Sequence, residues 1–159
     1  MMGVVTFTID DVCRAATFAM RRHAVAESEG RRAKLNRQER RCVLDDHFVG
    51  LMGEWAVCRE LGVEFAPTIN TYKGAPDACG FEVRTRRATY ATLVLHDNDS
   101  PDYPYALVMQ STLFQYLVCG WIPYAEAWEI CEMITADPDR PQMRTVPSHK
   151  LRPLTKATV

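Results

Sequence analysis

The chain has no stretch of about 18 consecutive apolar residues, so nothing in it reads as a membrane-spanning helix. Its start, MMGVVTFTIDDV, lacks the basic head and apolar run of a secretion signal, and the expectation is a soluble, cytoplasmic protein. Cys-x-x-Cys is absent, as is any Cys/His spacing suited to zinc. Cys13, Cys42, Cys58, Cys79, Cys119 and Cys131 are scattered and read as free buried thiols, not disulfides. Internal repeats and low-complexity linkers are also missing. With 159 residues, 47% of them hydrophobic, the chain is expected to fold as one domain over 1–159 with a real core.

Net charge is scarce too, at −1, but the mean hides an uneven arrangement. Arg31, Arg32, Lys34, Arg37, Arg40 and Arg41 face only Glu39 in the segment 31–41, and the tail from Arg140 onward holds five basic residues and no acid. Two such segments suit a phosphate backbone gripped from two sides, or else a solvated helix face and a frayed tail.

Helical spacing dominates the first third. Thr8 is placed to cap a helix over 9–28, with Asp11 completing a capping box, Phe7 and Val12 as a staple, and Val12, Ala16, Ala19, Met20 and His23 on its apolar face. A second helix over 43–61 ends at Gly62. Leu44, Phe48, Leu51, Met52, Trp55 and Cys58 fill one arc, with Glu54 at its border. Beyond 63 the period changes. VEFAPTIN, APDA, FEVRTRR, ATLVLH, YALVMQ and FQYLVCGWI read as strands, PYAEAWEICEMI as a late helix, and RTVPSHKLRPL as an edge strand or strap. The expected class is α+β, with N-terminal helices packed on a central mixed, largely antiparallel sheet.

The stretch APDACGFEVRTRR carries the chemistry. A two-residue turn at Cys79 and Gly80 sets Asp77 opposite Glu82, with Cβ atoms roughly 4.5–5.5 Å apart. Alternation puts Arg84 and Arg86 on the face of Glu82, and Phe81, Val83 and Thr85 on the other. Carboxylates held so close raise one another's pKa unless a cation intervenes, and hard oxygen donors suit Mg²⁺ or Mn²⁺. Neutralisation by Arg84 or Arg86 is the competing structural account.

Glu54 in GEWAVCRELG, Asp77 in APD, and Glu82 with Arg84 in EVR together resemble the PD-(D/E)XK nuclease superfamily. LVCGWI followed by an acidic helix is similar to its small phage-encoded members. The resemblance implies a restriction-endonuclease-like core and a metal-dependent phosphodiesterase acting on nucleic acid, DNA ahead of RNA. Glu54, Asp77 and Glu82 would hold Mg²⁺ or Mn²⁺, and Arg84 would be the electrostatic helper. Nucleic-acid contacts would come from the 31–41 basic residues, Lys73, Arg86, Arg87, Lys150 and Arg152. A homodimer is compatible with it. Two departures stand out: Arg84 replaces the family's Lys and cannot act as a base, and little chain is left for a helix between EVRT and ATLVLH. They leave open a catalytically weak or inactive nucleic-acid-binding relative. His47, His96, Tyr90, Tyr103, Tyr105 and Trp121 read as structural ahead of functional, and His149 joins Lys150 and Arg152 as a backbone contact.

Overall fold

The computed structural model describes residues 2–29, 43–69, 75–87, 92–134 and 143–158. A short strand β1 (Gly3–Thr6) precedes helices α1 (Ile9–Ser28) and α2 (Val43–Leu61). Strands β2 (Glu82–Arg87), β3 (Thr92–Leu95), β4 (Tyr105–Gln110) and β5 (Gln115–Ile122) follow, then helix α3 (Tyr124–Ile130) and strands β6 (Glu132–Ile134) and β7 (Met143–Pro147). The fold is α+β, with the long helices N-terminal to most of the strands. Among the described residues no helix is long and apolar enough to cross a membrane.

The strands form two sheets. The larger runs β1-β5-β4-β2, antiparallel except for the parallel β2/β4 edge, and the smaller runs β3-β7-β6, antiparallel throughout. A pair of cores follows from this layering. Val83, Ala106, Val108 and Val118 face the long helices together with Leu51, Trp55 and Cys58. Tyr105, Leu107, Cys119 and Ile122 face the opposite way, against Leu93, Leu95, Ala127 and Val146.

Local chemistry fixes the helices. The Thr8 hydroxyl accepts from the Asp11 N–H at 3.2 Å, and the Asp11 carboxylate accepts from the Thr8 N–H at 2.8 Å, so two otherwise unpaired donors at the start of α1 are satisfied. Arg59 of α2 pairs with Asp11 at 2.9 Å and lies over the Phe7 ring at 4.5 Å, clamping one helix to the other. The buried residues of α1 are Ala15, Ala19 and Ala26, small side chains that let α2 come close. The apolar face is therefore rotated from the expected one, and Met20 is 59% exposed.

α2 is buried on all sides from Leu51 to Cys58, because α1 covers the face that the sheet does not. The single-sided arc expected from the sequence is thus wider in fact. Gly53 is required by a close approach: a Cβ there would lie 1.8 Å from the Thr85 hydroxyl, so α2 rests directly on β2. This contact sets the height of Glu54 over the hairpin.

Two other sequence expectations are corrected, and one strand is new. Residues 63–69 lie outside any strand, since no neighbour among the described residues offers them a ladder. The late helix stops at Ile130, and Glu132–Ile134 pairs with β7 instead. β1 was not anticipated; it extends the large sheet along β5.

Candidate functional site

The hairpin forms as its sequence dictates. Ala78 and Phe81 exchange backbone hydrogen bonds of 3.1 and 2.8 Å, and Cys79 and Gly80 carry φ of 50° and 82°, the left-handed pair of a tight turn. Glycine takes that conformation freely. Cysteine does so at a steric cost.

β2 is the outer strand of the large sheet, and its alternation distributes the acids around that edge. Val83 pairs in register with Ala106 and packs under α2, whereas Glu82 pairs with Tyr105 and Arg84 with Leu107, on the face of the second core. Asp77 sits between the two faces: its Oδ2 accepts from the Val83 N–H at 2.9 Å. It acts electrostatically on Glu54 above and on Glu82 below.

Glu82 is strongly perturbed. Burial first, then the Asp77 charge, push its carboxyl up to about 7, against which Arg84 works in the opposite direction. The charge of Asp99 and a hydrogen bond with the Asp77 side chain raise it further, so a protonated Glu82 donates to the Asp77 carboxylate.

Glu54 has a different partner. It is 6% exposed, and both its oxygens accept from Arg22 of α1, Nη1 and Nη2 each at 2.7 Å, while Arg22 Nε donates to the Thr68 carbonyl at 2.7 Å. Burial raises the Glu54 pKa, the Arg22 bonds and charge lower it, and Asp77 raises it, with the balance upward. A fork-to-fork pair of this kind satisfies a buried charge without a metal.

Arg84 is likewise engaged. Its Nη2 donates to Asp99 Oδ1 at 2.7 Å and its guanidinium lies 5.3 Å from the centre of the Tyr105 ring. Asp99 also accepts from the His96 N–H at 2.9 Å, which holds the turn after β3 in place. Arg22 and Asp99 are site residues that sequence reading missed. They act over 32 and 15 positions of chain, and no local spacing marks them.

The expected ligand set is therefore brought together only in part. Asp77 meets Glu82 and lies near Glu54, but Glu54 belongs to the helix face and Glu82 to the other. Among the described residues, no group of three or more His, Cys, Asp or Glu is gathered so as to hold a metal ion. The Asp77 and Glu82 carboxyls do suit Mg²⁺ or Mn²⁺, which bind through one or two carboxylates and retain water. Both Glu54 oxygens are already paired with Arg22.

The nucleic-acid candidates divide similarly. Arg31, Arg32, Lys34, Arg37, Arg40, Arg41 and Lys73 lie outside the described residues. Arg86 and Lys150 are exposed. Arg87 pairs with Asp45 beside a cavity of about 430 Å³ at the far end of β2, and Arg152 pairs with Glu126, so two expected phosphate contacts already have acidic partners. Comparison with protein-family models, with curated proteins and with solved structures gives no match for this chain.

Proposed function

We propose that the chain is a divalent-cation-dependent phosphodiesterase acting on DNA, with Asp77 and Glu82 as the carboxylates that hold Mg²⁺ or Mn²⁺. The observation that carries this reading is the tight turn that folds Asp77 back onto β2 beside Glu82. Two acids are kept in contact at an exposed sheet edge, at a cost in ionisation that a bound cation would relieve. A divalent ion held there supplies a water of lowered pKa and neutralises charge on the phosphate oxygens.

The residues around the pair have definable parts. Glu82 gives up its proton for both carboxylates to become ligands, so cation binding tightens as pH rises through about 7. Arg84, always protonated, donates to a phosphate oxygen from beside Glu82 and cannot take a proton from water. Asp99 aims its guanidinium. Asp77 acts on Glu54 through space, and Glu54 stays paired with Arg22 behind the two ligands.

Titration with MnCl₂ tests this, read by thermal shift and by cleavage of single-stranded, duplex and branched DNA. A cation that binds only the folded chain raises Tm by mass action. Asp77→Asn should abolish both the shift and the cleavage while leaving a folded protein. Intact DNA with no Tm response to Mn²⁺ would exclude the enzyme. A second reading, a non-catalytic nucleic-acid-binding protein, is favoured by the Arg22–Glu54 and Arg84–Asp99 pairs, which neutralise acids at the site without an ion. It predicts salt-sensitive DNA binding and no response to Mn²⁺.

A further inference from the structure

Cys58 and Cys79 come from elements far apart in the chain, yet their sulfurs lie 2.9 Å from one another. Cys58 is on α2, one turn beyond Glu54, and is 3% exposed. Cys79 is the first residue of the hairpin turn, half-buried, and adopts a φ of 50° that asparagine or glycine takes more readily. Both thiols are free. The remaining described cysteines, exposed Cys13, buried Cys119 and half-buried Cys131, are in no such contact with another thiol.

The geometry points to a reversible modification site: Cys58 and Cys79 close to an intramolecular disulfide, using a small-molecule disulfide as oxidant. Disulfide sulfurs sit about 2.05 Å apart, so two thiols already in contact need only a small approach. The steps are ordinary exchange. Cys79, the more accessible, attacks one sulfur of the oxidant as thiolate, forming a mixed disulfide and expelling one thiolate. Cys58 then attacks the Cys79 sulfur, breaking the mixed bond and expelling the second thiolate. Two protein thiols are oxidised, one external disulfide is reduced to two thiols, and the protons of Cys58 and Cys79 pass to the expelled groups.

The order of attack follows from the surroundings. Burial, then the contact with Cys79, pushes the Cys58 thiol well up, so it is a poor first nucleophile. Once Cys79 is in mixed-disulfide form, Cys58 is the nearest described thiol that can resolve it. The product staples α2 to the hairpin, joining the element that carries Glu54 to the one that carries Asp77 and Glu82. Neither the bond nor its test depends on the phosphodiesterase reading.

The experiment uses the full chain, reduced and then incubated with oxidised glutathione, with peptide mapping by mass spectrometry before and after dithiothreitol. The expected result is a Cys58–Cys79 cross-link that dithiothreitol removes, with Tm raised by about 5 °C or more in the oxidised form. Exposed Cys13 reports whether the oxidant has acted. Cys58→Ser should halt at glutathione on Cys79, and Cys79→Ser should leave Cys58 unmodified. Glutathione persisting on Cys79 of the unsubstituted chain would overturn the inference. So would a cross-link to another cysteine, or two unreacted thiols while Cys13 is modified.

Discussion

Replacing Glu82 by Gln removes one ionisation and almost nothing else. The amide keeps the shape and can donate to Asp77 as the protonated acid does. In the folded chain Glu82 holds its proton up to about 7, whereas its ordinary value is 4.5. Between those values the folded state binds a proton that the unfolded state has released, so stability falls as pH rises, and the penalty is complete above about 7. Carrying an ionisation over that interval corresponds to about 3 kcal/mol. Glu82 is only half-buried and solvent screens part of the interaction, which leaves on the order of 1–2 kcal/mol. Glu82→Gln should therefore be more stable than the natural chain by about 1–2 kcal/mol at pH 8, or roughly 3–6 °C in Tm for a chain of this size. At pH 4.5 the two should agree within about 0.5 kcal/mol. Urea unfolding at half-unit pH steps, in metal-free buffer, gives both curves. Parallel curves from pH 4.5 to 8 would show that Glu82 ionises normally and refute the argument.

Other perturbations follow from the same geometry. Arg22→Ala strands the buried Glu54 carboxylate and should cost about 3–5 kcal/mol by urea unfolding, much of it recovered when Glu54→Gln is added. Asp99→Asn removes a charge that raises the Glu82 pKa, so the Glu82 carboxyl carbon, followed by NMR, should titrate below about 7. Gly53→Ala drives a methyl against the Thr85 side chain and should destabilise by about 1–3 kcal/mol, with partial relief from Thr85→Ala.

Where short-range chemistry decides, the sequence was readable. The Thr8–Asp11 box, the stop at Gly62 and the Cys79–Gly80 turn are each set by a few adjacent residues, and α1, α2 and the hairpin stand where those residues put them. β1 and β6 span four and three residues and exist through pairing with β5 and β7, so no periodicity could announce them. Residues 63–69 have strand-like composition but join no strand ladder among the described residues. Asp77 facing Glu82 was legible because one turn joins them. The commitment of Glu54 to Arg22, and of Arg84 to Asp99, was not, because each pairs elements that only the tertiary fold brings together. The division into two sheets had the same cause, with β3 leaving its sequence neighbour β2 to join β7.

The bond from Val83 N–H to Asp77 bears on strand addition at the open edge of the large sheet. An outermost strand presents a row of open backbone donors on which a second molecule can add, and a charged side chain folded over one of them discourages that growth. Asp77 thus covers one donor of an open strand as well as being a candidate ligand. Truncating it to alanine would uncover the donor and remove the charge at one stroke, inviting aggregates that mimic loss of activity. The asparagine variant retains an acceptor for Val83, and light scattering on both would separate a missing ligand from an unguarded strand.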